Sequence, residues 1–210
     1  IVWDWNGTLL NDVDLCFSCI NRLLVSHDLK PLDTLSQYRE VFTFPIEDYY
    51  KRVGFDFDKI PFSMLAHEYM EDYQEKSYAC DLHSDVLDVV NKAKNLGFSQ
   101  TVLSASKMDY LLKQMETLHV DDLFDSIYGI NDIYAKSKVE LAHAFKQTCS
   151  LDDEIYFVGD SVHDYEVAKS IGAKCILVTT GHQNRATLES VNVPVMDSLM
   201  ESLDLIYERD

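Results

Sequence analysis

Four polar clusters in this chain hold residue types that can handle a phosphoryl group. Asp4-Trp5-Asn6-Gly7-Thr8-Leu9 offers a carboxylate and a hydroxyl around a Gly turn, and Ser104 closes the run Thr101-Val102-Leu103-Ser104. Lys138 opens a helical pattern carried by Val139, Leu141, Ala142 and Phe145, and Gly159-Asp160-Ser161-Val162-His163-Asp164 contributes two more carboxylates. A carboxylate can attack phosphorus, a hydroxyl can hydrogen-bond the transferring group, and several Asp oxygens can hold Mg²⁺, a hard cation that offsets charge on that group. Lys offsets the same charge from another side. Each cluster alone is weak, since Asn-Gly is also an ordinary turn signal, so the chemistry depends on whether the fold gathers all four.

The apolar runs beside them indicate that it does. Ile1-Val2-Trp3, Thr101-Val102-Leu103, Ser126-Ile127-Tyr128, Ile155-Tyr156-Phe157-Val158, Cys175-Ile176-Leu177-Val178 and Val193-Pro194-Val195 read as short buried strands. Between the later ones lie helical patterns over Ser84 to Leu96, Asp109 to Leu118, Ser137 to Gln147, and His163 to Ile171, the last closed by Gly172. Alternation of this kind predicts an α/β fold with a doubly wound parallel sheet, whose strand carboxyl ends share one edge and bring distant residues to one crevice. Roughly 80 residues after the first strand hold only helical patterns, at Val13 to His27, Thr34 to Val41, Pro45 to Arg52 and Pro61 to Tyr78. The expected organisation is therefore an α/β core of residues 1–12 and 80–210 and a small α-helical cap of 13–79, a candidate lid over the crevice.

Composition narrows the partners. The 210 residues carry 18 Lys plus Arg against 36 Asp plus Glu, a formal charge of −18, and 47% are hydrophobic, enough for a core. Disorder and collagen-like repeats are excluded, and so large an acidic excess argues against nucleic acid, whose binding draws on Lys and Arg. An anionic substrate would then need a local positive field from a metal ion or a placed Lys. No run approaches 18 apolar residues, so no membrane span is expected. The start, Ile1-Val2-Trp3-Asp4-Trp5, lacks secretion-signal character, and its Ile leads us to expect a few native residues before it. Five scattered Cys favour a reducing, cytoplasmic setting, with the Cys16/Cys19 pair read as core packing.

In the order, spacing and insertion of these features, nearly the whole chain resembles the haloacid dehalogenase superfamily of phosphatases. The similar branch is phosphoglycolate-phosphatase-like, with its helical cap inserted after the first motif. The family pattern is Asp-x-Asp-Gly-Thr, a Ser or Thr ending strand two, a Lys, and Gly-Asp-x-x-x-Asp. The resemblance implies a Rossmann-like core and Mg²⁺-dependent hydrolysis of a small phosphorylated metabolite through an aspartyl-phosphate on Asp4, in a monomer or homodimer. It further implies that Gly7, Thr8, Ser104 and Ala105 bind phosphate and that Lys138 bridges nucleophile and phosphate. Asp4, Asp160 and the main-chain carbonyl of Asn6 would ligate the metal, supported by Asp164. Asn6 departs from the pattern, because an amide cannot replace the second Asp as general acid and base, a loss of roughly 10²- to 10⁴-fold. Transport ATPases with Thr there and phosphonate-cleaving relatives with Ala show that the position varies.

Several alternatives remain at this level. Lys136 rivals Lys138, Ser106 and Lys107 rival Ser104, and His163 is a substitute acid or base. Asn6 is equally compatible with a substitution made to trap a complex, and with a weak relative that binds a phosphorylated ligand or a protein partner. A phosphonate hydrolase would need Lys51 for a Schiff base, and a sugar-phosphate mutase would need the missing acid. Phe42, Phe44, Tyr49, Tyr50, Lys51 and Arg52 in the cap could meet substrate, although core packing and solvated charge explain them as well. Tyr69 and Tyr73 read as packing, and His27, His67, His83 and His182 form no defensible ligand spacing.

Overall fold

The computed structural model describes residues 1–130 and 138–209. Among them, six strands form one all-parallel sheet: β1 (Val2–Trp3), β2 (Thr101–Lys107), β3 (Ser126–Ile130), β4 (Tyr156–Gly159), β5 (Lys174–Val178) and β6 (Val195–Met196), in the order β3-β2-β1-β4-β5-β6. The chain builds outward from β1 to β3 and then returns to place β4 on the other side of β1. That reversal makes the carboxyl ends of β1 and β4 the switch point where open α/β sheets bind ligands. In register, Val2 lies opposite Thr101 and Phe157, and Trp3 opposite Val102 and Val158.

Both faces of the sheet are covered, which is why its strands are apolar runs without polar alternation. Successive residues point to opposite faces. Trp3, Val102, Val158 and Ile176 pack with α5 (Val86–Asn95), α6 (Met108–Thr117) and α10 (Leu199–Arg209). Val2, Leu103, Phe157 and Leu177 pack on the other face with α7 (Lys138–Thr148), α8 (Val162–Ser170) and α9 (Arg185–Glu189).

The insertion after β1 is helical: α1 (Val13–Ser26), α2 (Leu35–Val41), α3 (Ile46–Arg52) and α4 (Phe62–Ser77). In α1 the buried Val13, Cys16, Ile20, Leu23 and Leu24 recur at helical spacing. With Tyr38, Tyr49, Tyr50, Phe55 and Leu65 they form a separate aromatic-rich core. Cys16 and Cys19 are free thiols within it, as packing would have them. Among the described residues no helix is long and apolar enough to cross a membrane.

Two stretches differ from the sequence expectation. β2 continues past Ser104 to Lys107, because its pairing with β3 shifts between Leu103 and Lys107 and resumes at Lys107 opposite Ile130. The apolar run therefore ends before the strand does. After Val195 no helix was anticipated, yet α10 buries Leu199, Ser202, Leu203 and Ile206, an i, i+3, i+4, i+7 stripe present in the sequence.

Candidate active site

Asp4 follows β1 directly, and its amide donates to the Val158 carbonyl at 2.9 Å, so the β1–β4 pairing fixes its backbone. The Asp4 carboxylate accepts from Lys138 Nζ at the start of α7 and, at 3.2 Å, from the Thr8 hydroxyl, which also lies 3.3 Å from Asp160 Oδ1. Lys138 Nζ reaches Asp164 Oδ1 at 2.6 Å. The other oxygen of Asp164 accepts from the Ser161 hydroxyl at 2.6 Å and the Ser161 amide at 3.0 Å, closing a capping box that anchors α8. Asp160 Oδ2 accepts from the His182 amide at 2.6 Å. All four charged groups are buried.

Two glycines make this closeness possible. Gly7 has φ +74°, and a Cβ there would lie 2.6 Å from both Asp160 Oδ2 and His182 Cδ2. A Cβ on Gly181 would lie 2.0 Å from Asp160 Oδ2.

The electrostatics call for a cation. Carboxylate oxygens of Asp4, Asp160 and Asp164 lie within 4.8 Å of one another, and Lys138 offsets only one of the three charges. Burial pushes Asp4 up to about 8, with repulsion from Asp164 and Asp160 acting against the pull of Lys138. Burial likewise raises Asp160, to about 6. Asp164 goes the other way, because Lys138 outweighs its burial, and the paired carboxylates hold Lys138 above its usual range despite burial. Fully ionised, the three carboxylates exceed Lys138 by two negative charges, and that excess and the all-oxygen donor set fit a hard divalent cation.

Asn6 lies at the centre of a second network. Its Nδ2 donates to Asp12 Oδ2 at 2.9 Å and to the Tyr73 hydroxyl at 2.8 Å, while its Oδ1 accepts from Ser106 Oγ at 2.6 Å and Ser104 Oγ at 3.4 Å. Asp12 also accepts from the Gly7 amide at 2.9 Å and the Tyr73 hydroxyl at 2.7 Å, and pairs with His182 Nε2 at 3.3 Å. His182 Nδ1 meets the Tyr38 hydroxyl at 2.8 Å. Burial opposes both charges of the Asp12–His182 pair, but each stabilises the other, holding Asp12 down at about 2 and His182 up at about 9.

Asp4, Asn6, Gly7, Thr8, Ser104, Lys138, Asp160 and Asp164 thus meet at one sheet edge, and Ala105 lines the adjoining cavity. Lys136 lies outside the described residues. Ser106 is more central than its spacing suggested, because the extended β2 carries it to Asn6. His163 stacks on Phe44 with ring centroids 4.6 Å apart and does not line the cavity. Lys51 bonds Asp48 at 3.1 Å on the surface, also away from the cavity, where no Schiff base can form on a bound substrate. Asp12, Tyr38, Tyr73 and His182 were missed. For His182 a signal existed, since Thr179-Thr180-Gly181-His182 follows β5 as the other clusters follow their strands.

The cap is fastened to this edge through the same loop. Arg39 Nε donates to the Gly181 carbonyl at 2.9 Å, and Gln183 Nε2 to the Phe42 carbonyl at 3.2 Å. Beneath the cap lies a cavity of about 200 Å³ that runs from Asp4, Lys138 and Asp160 to Phe42, Phe44, Tyr49, Tyr50, Phe62 and Tyr69. The aromatic residues of 42–50 therefore line the site as well as packing the cap.

A family model for haloacid dehalogenase-like hydrolases matches residues 1–178. The chain belongs to the haloacid dehalogenase-like hydrolase family. Solved structures of similar fold span nearly all of this hydrolase. A predicted phosphatase from Clostridium acetobutylicum has a TM-score of 0.83 at 19% identity, covering 99% of this chain and 97% of that one. A haloacid dehalogenase-like hydrolase from Streptococcus pneumoniae has 0.82 at 20%, covering 98% and 96%. A predicted phosphoglycolate phosphatase from Haemophilus somnus has 0.70 at 17%, also covering 98% and 96%. No match is found among curated proteins.

Proposed function

We propose that this haloacid dehalogenase-like hydrolase is a Mg²⁺-dependent phosphatase that cleaves a small phosphorylated metabolite in the crevice between its α/β core and the helical cap of residues 13–79. The observation that carries the reading is the buried Asp4 carboxylate held between Lys138 and Thr8 beside Asp160, a negative cluster short of positive charge. Names of the similar structures, two of them predicted phosphatases, agree with it.

In this reading Asp4, Asp160 and the Asn6 main-chain carbonyl hold Mg²⁺, with Asp164 behind them. Bound there, the ion keeps the carboxylates ionised and offsets charge on the phosphoryl oxygens. Asp4 attacks phosphorus as the P–O bond to the ester oxygen breaks and the alcohol portion leaves; water then adds to phosphorus of the aspartyl-phosphate, releasing inorganic phosphate and restoring the Asp4 carboxylate. Lys138 restrains Asp4 and draws in the phosphoryl group, and the Ser104 hydroxyl with the main chain at Thr8 and Ala105 orients it, while Gly7 lets the turn approach closely. The cap excludes bulk water.

Phosphate release from a panel of phosphorylated compounds, with Mg²⁺ and with a chelator, tests this. Chelation and Asp4→Asn should each abolish turnover. Unchanged turnover in Asp4→Asn would falsify the assignment.

A further inference from the structure

Two features of the crevice bear on which phosphate esters it can cleave. The first is the shortage of a proton for the leaving oxygen. Both N–H groups of the Asn6 amide are directed at Asp12 and Tyr73, the Tyr73 hydroxyl donates to Asp12, and both ring nitrogens of His182 are engaged by Asp12 and Tyr38. Among the described residues, the other carboxyl groups lining the cavity are Asp4, Asp160 and Asp164, which the nucleophile and metal site use. Among the described residues no carboxyl group is therefore free to protonate the leaving oxygen, which favours esters whose oxygen departs as an anion. A phenol releases its proton near 10, as the tyrosine side chain does, whereas an aliphatic alcohol, like water, holds its proton far more tightly.

The second feature is the space beyond the phosphoryl position. Phe42, Phe44, Tyr49, Tyr50, Phe62 and Tyr69 wall the far part of the cavity, whose whole volume, phosphoryl end included, is about 200 Å³; an apolar cavity of about 150 Å³ accommodates benzene. Against the rings of Phe42, Phe44 and Phe62 the hydroxyls of a sugar or a polyol would find no partners.

We infer that the substrates are aryl phosphate monoesters, the phosphate lying on Asp4 and the ring among the cap aromatics. The inference rests on the phosphatase reading above. Asp4 forms a bond to phosphorus as the P–O(aryl) bond breaks, and the phenolate leaves with the electron pair. Water then adds to phosphorus and the P–O(Asp4) bond breaks, restoring the carboxylate. One proton of that water ends on the phenolate, so the sum is ester plus water to phenol plus hydrogen phosphate.

Values of kcat/KM for phenyl, benzyl and glycerol phosphate, measured with Mg²⁺, separate the two features, because benzyl phosphate keeps the ring but leaves as an alkoxide. Phenyl should exceed benzyl by about 10²-fold or more for want of an acid, and benzyl should exceed glycerol phosphate by about 10- to 100-fold through burial of the ring. Phe44→Ala should narrow the benzyl-to-glycerol ratio, and Tyr69→Leu serves if that variant does not fold. A benzyl-to-glycerol ratio near one, or glycerol phosphate turned over as fast as phenyl phosphate, overturns the aryl assignment and leaves the phosphatase reading intact. If none of the three esters nor acetyl phosphate is hydrolysed, the phosphatase reading itself falls, and this inference with it.

Discussion

Replacing Asn6 by Asp restores the family pattern in sequence while placing a carboxylate 2.9 Å from Asp12 Oδ2, where an amide now donates. Two ionised carboxyl groups at that separation repel by about 6 kcal/mol at an effective dielectric constant of 20. The folded protein avoids most of this by keeping one proton on the pair. Holding that proton at pH 7, against an unfolded Asp that ionises near 3.9, costs about 4 kcal/mol, and at pH 5 about 1.5 kcal/mol. Since the native state then binds more protons than the unfolded chain, the variant's stability relative to the parent falls as pH rises, by about 1.4 kcal/mol per pH unit between roughly 4 and 8. Melting curves of both proteins in chelator, from pH 5 to pH 8, read this directly. For a chain of this size the deficit in Tm should be about 3–6 °C at pH 5 and 8–16 °C at pH 7. A deficit that does not change with pH would refute the argument that the network around position 6 is built for an amide.

The same Asn6→Asp protein carries a protonated carboxyl beside the leaving oxygen, so its turnover of benzyl phosphate should rise by about 10²- to 10⁴-fold at pH 7, and steady-state rates will show whether it does. Lys138→Met leaves Asp4 and Asp164 buried without their cation; a stability loss of about 3–5 kcal/mol in chelator is expected in a urea titration, with Mg²⁺ recovering part of it. Gly181→Ala drives a methyl group into Asp160, and Mg²⁺ affinity followed through the metal-dependent rise in Tm should weaken about 10- to 100-fold. Tyr38→Phe strips the protonated His182 of its Nδ1 partner, and the apo protein should lose about 1–3 kcal/mol, or 2–12 °C in Tm.

The α/β sheet and the four cap helices were legible because each has a strong local period. Apolar runs such as Tyr156 to Val158 need only be buried on both faces, and the spacing of Val13, Cys16, Ile20 and Leu24 needs only one helix. Asp4, Ser104, Lys138 and Asp160 were legible because strand ends gather on one edge whatever the loops do. The Asn6 network was not, since Asp12, Tyr73 and His182 meet through side chains from three separate segments, and no period links them. Tyr73 sits in an aromatic stripe where packing is the ordinary explanation, and only its hydroxyl, aimed at Asp12, sets it apart. Ser106 was underweighted because a strand was taken to stop where its apolar run stops, whereas the shifted pairing of β2 and β3 extends it.

The saturated amide of Asn6 also has a consequence for how such a sequence changes over time. An Asn codon is one nucleotide from an Asp codon, so the family's usual residue is always a single mutation away. Here that mutation arrives opposite Asp12 and is unfavourable unless Asp12, and with it the charge on His182, changes as well. Positions 6, 12 and 182 are thus coupled, and in this chain a charge change at one is expected to be tolerated only with a compensating change at another.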